Sequence, residues 1–108
     1  MLKILANKYF ELFSNKNIKK IAEMFSEEII LNDPNISSVG KIEVLNTTQN
    51  IFNSVTNIEI RVKNLYAENT TVVAELEILI DNNELIKIVD ILKFDNSDKI
   101  ERISAYKM

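Results

Sequence analysis

The sequence predicts an α+β domain in which helices gather over one strongly bent antiparallel sheet, in the order ααβαββββ. Apolar residues recur at helical spacing through much of the first half, and from residue 56 onward the period changes to two. Clusters of Asn and Asp fall between the later segments, where hairpin turns are needed. The chain shows no repeat and no linker, and 108 residues allow one domain, 1–108, with little room for a second.

Leu2, Leu5, Tyr9, Leu12 and Phe13 form the apolar stripe of a first helix, with Lys3, Lys8 and Glu11 largely on its other side. Asn15 and Asn17 mark a break. Ile18, Ile21, Ala22 and Phe25 then define a shorter amphipathic helix. A short strand, Glu28 to Asp33, is stopped by Pro34, which cannot donate to a ladder, and residues Asn35 to Gly40 read as a loop. Val44, Leu45, Thr48, Ile51 and Phe52 lie on one stripe of a third helix over about Lys41 to Phe52. Ile58, Ile60 and Val62 alternate with charged residues as a half-buried strand. Val72 to Ile80 follows, with Glu75 and Glu77 opposite its apolar face. Asp81-Asn82-Asn83-Glu84 reads as a hairpin turn, because Asn tolerates positive φ. Leu85 to Phe94 is a long strand, Asp95 to Asp98 a turn, and Ile100 to Tyr106 the last strand.

Composition narrows the chemistry. Thirteen Lys and Arg against sixteen Asp and Glu leave a net charge of −3, which argues against a dedicated nucleic-acid binder. The absence of Cys removes disulfides, a thiol nucleophile and thiolate metal sites. The absence of His removes the commonest general base at neutral pH, so acid–base work falls to carboxylates, Tyr or Lys. Charges interrupt the apolar amino terminus, so neither a signal-peptide core nor a membrane span is expected. A soluble, cytoplasmic domain follows as the expectation.

Asp90 is the informative position. Its strand carries Ile86, Ile88, Asp90, Leu92 and Phe94 on one side, and that side is apolar apart from the aspartate. When the preceding hairpin closes with its apolar faces coincident, Asp90 falls among Leu76, Ile78, Ile88 and Leu92; a one-residue slip would put acidic side chains there instead. Ionising a carboxyl in such surroundings costs several kcal/mol, so its pKa is expected to rise and its neutral form to prevail. A neutral carboxylic acid donates a hydrogen bond, which suits a developing oxyanion. Asp33 continues the alternation Ile29, Leu31, Asp33 and is a second inward candidate, although Asp-Pro is also a common strand stop. Tyr9 lies on the apolar stripe of the first helix, where its hydroxyl needs a partner and a carboxyl is a natural one.

Tyr9, Asn15-Lys16-Asn17, Met24-Phe25, Leu31-Asn32-Asp33-Pro34, Gly40, Val89 to Phe94, Lys99-Ile100 and Ala105 together resemble the SnoaL-like branch of the nuclear transport factor 2-like (NTF2-like) superfamily. Within it the chain is most similar to the ketosteroid isomerases. The resemblance implies a cystatin-like/NTF2-like cone, with three helices packed on the bent sheet. It also implies catalytic roles for three residues: Tyr9 as the catalytic tyrosine, Asp33 as the general base, and Asp90 as the protonated acid sharing an oxyanion hole with the tyrosine. A neutral acid in that position is the ketosteroid isomerases' own device. The implied activity moves a proton next to a carbonyl in a small apolar substrate, with no metal or organic cofactor. The same scaffold also serves as a non-catalytic ligand-binding or dimerisation module, or as a cyclase, dehydratase or hydrolase, and these stand as alternatives. Val73, Leu79, Leu85, Val89 and Ile91 lie on the sheet face opposite Asp90, which points to a homodimer through that face. The chain departs from the isomerases in a shorter loop between Pro34 and Gly40 and in Glu75 and Glu77 near positions where they tend to carry aromatics. Such a pocket would suit a smaller or different substrate.

Overall fold

The computed structural model describes residues 1–108. Helix α1 spans Leu2–Ser14, α2 Ile18–Met24 and α3 Lys41–Ser54. The strands are β1 Phe25–Asn32, β2 Ser37–Val39, β3 Ile58–Glu68, β4 Thr71–Ile80, β5 Glu84–Phe94 and β6 Ile100–Lys107. They form one six-stranded sheet in the order β2-β1-β6-β5-β4-β3. The fold is therefore α+β with three helices, as expected, but the element order is ααββαββββ.

Three features differ from the sequence expectations. The first is β2, which occupies part of the segment expected to be loop. Asp33 and Ile36 close a tight turn, with Asp33 N donating to Ile36 O at 2.8 Å, and Asn32, Leu31 and Ile30 then pair with Ser37, Ser38 and Val39. A three-residue strand whose one inward side chain is a serine leaves no apolar signature. Ser38 is buried, its hydroxyl 2.7 Å from that of Thr47 on α3. The second correction is that the sheet is not wholly antiparallel, because β1 runs parallel to β6. The third is that β1 begins at Phe25, within the span expected to be helix. The register irregularity between Phe25 and Ile30 breaks the two-residue period there, so Ser26, Glu27 and Glu28 conceal the strand's start.

The hairpins obey the turn chemistry. Asn69, Asp81, Asn82 and Asp98 all adopt positive φ, which Asn and Asp tolerate best after Gly. β3 runs five residues past Lys63 because a bulge between Val62 and Asn64 shifts its parity, bringing Leu65 opposite Ala74. Gly40 sits at φ 93 and ψ 149, a backbone region essentially reserved for glycine, and its N–H donates to Ile29 O at 2.8 Å as the chain turns into α3. The Lys16 ammonium donates to the carbonyls of Phe52 (2.9 Å), Val55 (2.5 Å) and Thr56 (3.0 Å), satisfying acceptors that the end of α3 leaves open. The Asp81 carboxylate accepts from Thr56 N and Asn57 N at 2.7 and 2.8 Å. These two ties pin the α3–β3 connection from both sides.

Burial falls along β1, β4, β5 and β6 from one end of the sheet to the other. Phe25 and Ile29 on β1, Val72 and Ala74 on β4, Leu92 and Phe94 on β5, and Ile100 on β6 are almost wholly buried, packed under Phe10 of α1 and Ile21 of α2. Toward the other end the same faces carry Leu31, Asp33, Ile78, Ile80, Ile86, Ile88 and Ala105, all only partly buried. The space between sheet and helices is packed solid at one end and hollow at the other, and Asp90 lies where the packed core stops. No helix is long and apolar enough to cross a membrane.

Candidate functional site

The hollow end holds a partly open cavity of about 180 Å³, lined by 17 residues of which 14 are hydrophobic. Tyr9, Asp33 and Asp90 all line it, so three groups from α1, the β1–β2 turn and β5 meet at one space.

Register places Asp90. Leu76 pairs with Ile88 and Ile78 with Ile86, so the apolar faces of β4 and β5 coincide as the alternation requires. Asp90 itself pairs with Ala74 on β4 and with Ala105 on β6. Two single-carbon side chains thus flank the carboxyl, and Ala105 shares the cavity wall with it. Ala105 was not among the site residues expected. Its contribution is the volume it leaves empty, which no sequence window reveals without the strand pairing.

Asp33 sits at the corner of the β1–β2 hairpin. Its Oδ1 accepts from Asn35 N at 3.1 Å, so the Asp-Pro turn that stops the strand also holds the carboxyl in place. Asp33 thus closes the turn and also lines the cavity. Tyr9 is 4 % exposed, its ring packed against Phe10, Phe13 and Phe25 at centroid distances of 5.4 to 6.1 Å. The direct Tyr9–carboxyl hydrogen bond expected from the sequence is not made. No buried polar side-chain atom lacks a partner, and neither the Tyr9 hydroxyl nor the Asp90 carboxyl bonds a protein group, so both present their polar atoms to the cavity. Thr48 also lines it, but its hydroxyl donates to Val44 O at 2.8 Å and is not free.

The electrostatics tie the three groups together. Burial, with the negative charge of Asp33 adding to it, lifts the Asp90 carboxyl from 3.8 to about 7. Burial also pushes the Tyr9 hydroxyl far above its ordinary value, and the nearby Asp90 charge adds to that. Below pH 7 Asp90 and Tyr9 are therefore neutral O–H donors, and Asp33 supplies the negative charge that acts on Asp90. Glu75 and Glu77, expected to alter the pocket, do not reach it. They lie on the opposite face, where Glu75 accepts from the Tyr66 hydroxyl at 3.0 Å and Glu77 pairs with Lys63 at 3.9 Å. No group of three or more His, Cys, Asp and Glu side chains gathers as a metal site would require.

Sequence comparison matches a family model described as a SnoaL-like domain to residues 6–103. A search of curated proteins returns no match. Among solved structures, a candidate ketosteroid isomerase from Kribbella flavida DSM 17836 superposes with a TM-score of 0.87 at 16 % identity, covering 99 % of this chain and 77 % of that one. A candidate SnoaL-like polyketide cyclase from Shewanella denitrificans OS-217 gives 0.86 at 12 % identity over 99 % and 90 %. An NTF2-like protein of unknown function from Cytophaga hutchinsonii ATCC 33406 gives 0.84 at 14 % identity over 100 % and 90 %.

Proposed function

This chain belongs to the SnoaL-like domain family, and from that footing we propose that it is a ketosteroid-isomerase-like enzyme acting in the cytoplasm on a small apolar substrate, with residues 1–108 working as one domain. Asp33, ionised, takes a proton from the carbon next to a carbonyl, and the electron pair moves onto the oxygen. Tyr9 and neutral Asp90 each donate a hydrogen bond to that enolate oxygen. The protonated Asp33 then returns the proton to the γ-carbon, and the double bond moves into conjugation. Atoms and charge balance without an oxidant, a reductant or a cofactor.

One observation carries this reading: three acidic groups with opposite protonation tasks line a single apolar cavity. Charge accumulates on the substrate oxygen only in the transition state, so donors aimed at it from a dry wall lower the barrier more than they hold the ground state. Two of the folds that superpose on this one are named for isomerase and cyclase chemistry, which fits the class of substrate.

The test is isomerisation of a simple β,γ-unsaturated ketone, followed by the absorbance of the conjugated product. Tyr9→Phe keeps the ring and its packing but loses the donor, and turnover is expected to fall by on the order of 10² to 10³. Turnover close to that of the unmodified chain would remove Tyr9 from the oxyanion hole.

The outer sheet face carries a separate proposal. Val73, Val89 and Ile91 are half-buried there, while Leu85 and Tyr106 are 48 % and 57 % exposed. A second copy of the chain would cover this apolar area, so a homodimer through the face is proposed. Sedimentation equilibrium at micromolar concentration is expected to return the dimer mass; a monomer would defeat the proposal.

A further inference from the structure

We infer that the ligand of this cavity is an uncharged carbonyl compound about one six-membered ring in size, and that Ala105 sets the limit. The use made of that ligand rests on the proton-shift reading, whereas its size and charge rest on the cavity walls alone.

Volume comes first. The cavity holds about 180 Å³, and an apolar protein cavity of roughly 150 Å³ takes up benzene. One ring with a short substituent fills such a space, whereas a fused polycycle exceeds it.

The walls agree. Nine of the lining residues are isoleucines, including Ile58, Ile60, Ile78, Ile86 and Ile88. Branched aliphatic side chains present a knobbed surface and are stiff at χ1, so they shape themselves poorly around a long flat ligand. The aromatic rings at the wall are already engaged. Phe13 stands edge-on to Phe52 at 4.8 Å and 76°, and to Tyr9 at 5.9 Å and 67°.

Charge is the third constraint. No Lys or Arg lines the cavity, and Asp33 brings a negative charge to it. A carboxylate or phosphate would find repulsion and no counter-charge. An ammonium ion would meet Asp33, held in its own turn, and Asp90, which burial holds toward its neutral form, and would leave its remaining hydration behind among isoleucines. Neutral, compact ligands remain.

Ala105 sets the depth. It is the only single-carbon side chain on the wall and stands directly beside Asp90 in register. Side chains paired across strands lie about 4.5 to 5.5 Å apart at Cβ. The space above the acid is therefore the space Ala105 leaves.

The experiment measures binding to the full chain by calorimetry below pH 7. The probes are cyclohex-2-enone, phenol, 2-naphthol, benzoate and cyclohexylammonium. The enone and phenol are expected to bind. 2-Naphthol should bind about tenfold more weakly than phenol, because one misfit group in an apolar pocket is worth that factor or more, and the two ions should not bind. Ala105→Leu should weaken phenol by at least about tenfold at unchanged melting temperature. Ile88→Ala should improve 2-naphthol by a similar factor, and it decides the matter if the leucine variant does not fold. Binding of 2-naphthol or of either ion as tightly as phenol would overturn the inference. So would failure of both neutral one-ring probes, or an Ala105→Leu chain that folds and binds as before. Turnover separates the two claims. Phenol-type binding without isomerisation of cyclohex-3-enone supports the inference and removes the isomerase reading. Isomerisation of a tetracyclic enone with rejection of the monocycle does the reverse.

Discussion

Asp33→Asn is expected to abolish isomerisation of a β,γ-unsaturated ketone while leaving the fold intact. Positioned proton transfer contributes about 10² to 10⁴ in rate, and without the base the one other carboxyl on the cavity wall is Asp90, which burial holds toward its neutral form. The fold should survive because asparagine keeps a side-chain oxygen to accept from Asn35 N, and because Asp33 is only half-buried. Melting temperature and far-UV circular dichroism check the fold, and the rate of conjugation checks the chemistry. A secondary effect makes the variant more informative. Asp33's charge helps hold Asp90 in its neutral form, so removing it lowers the Asp90 pKa, though burial, the larger cause, remains. Full activity in this variant would exclude Asp33 as the base.

The second large effect is a pH dependence of both stability and activity that one group, Asp90, should set. In the folded chain Asp90 titrates near 7, whereas in the unfolded chain it titrates near 3.8. Between those values the folded state holds a proton that the unfolded state has lost, so stability is greatest at the acid end and falls as pH rises through 7. The size of the fall is on the order of 4 kcal/mol, a large part of what a domain this size has to spare. Turnover should fall where that loss ends, as pH rises through about 7 and above, because an ionised Asp90 accepts hydrogen bonds and cannot donate one to an enolate. Asp90→Asn keeps a donor without the titration. It should flatten the stability curve between pH 4 and 8 in urea unfolding and remove the alkaline limb of the rate profile. A native chain equally stable at pH 5 and pH 8 would show that Asp90 is not held neutral.

The same carboxyl shows how far a linear reading reaches. Alternation along one strand was enough to place Asp90 on the apolar face, because parity is a local property and every neighbour on that face is aliphatic or aromatic. The helices carrying Tyr9 and Thr48 followed from spacing in the same way, and the turns from Asn and Asp at positions with positive φ. Asp33 was less legible. The turn it makes and the cavity it lines use the same residue, and only the first has a sequence signature. β2 escaped because its inward residue is Ser38, whose burial is balanced by a hydroxyl contact with Thr47 on α3.

Taken alone, the amino-acid order determined which side chains are sequestered and which acid stands among them, since one-sided burial repeats at the period of each element. The tertiary structure decided three other things: the parallel pairing of β1 with β6, the alanines that flank Asp90, and the unfilled volume in front of it. Each of these is a relation between segments far apart along the chain. A void is the difference between the space several elements enclose and the atoms they contribute, so no single segment encodes it.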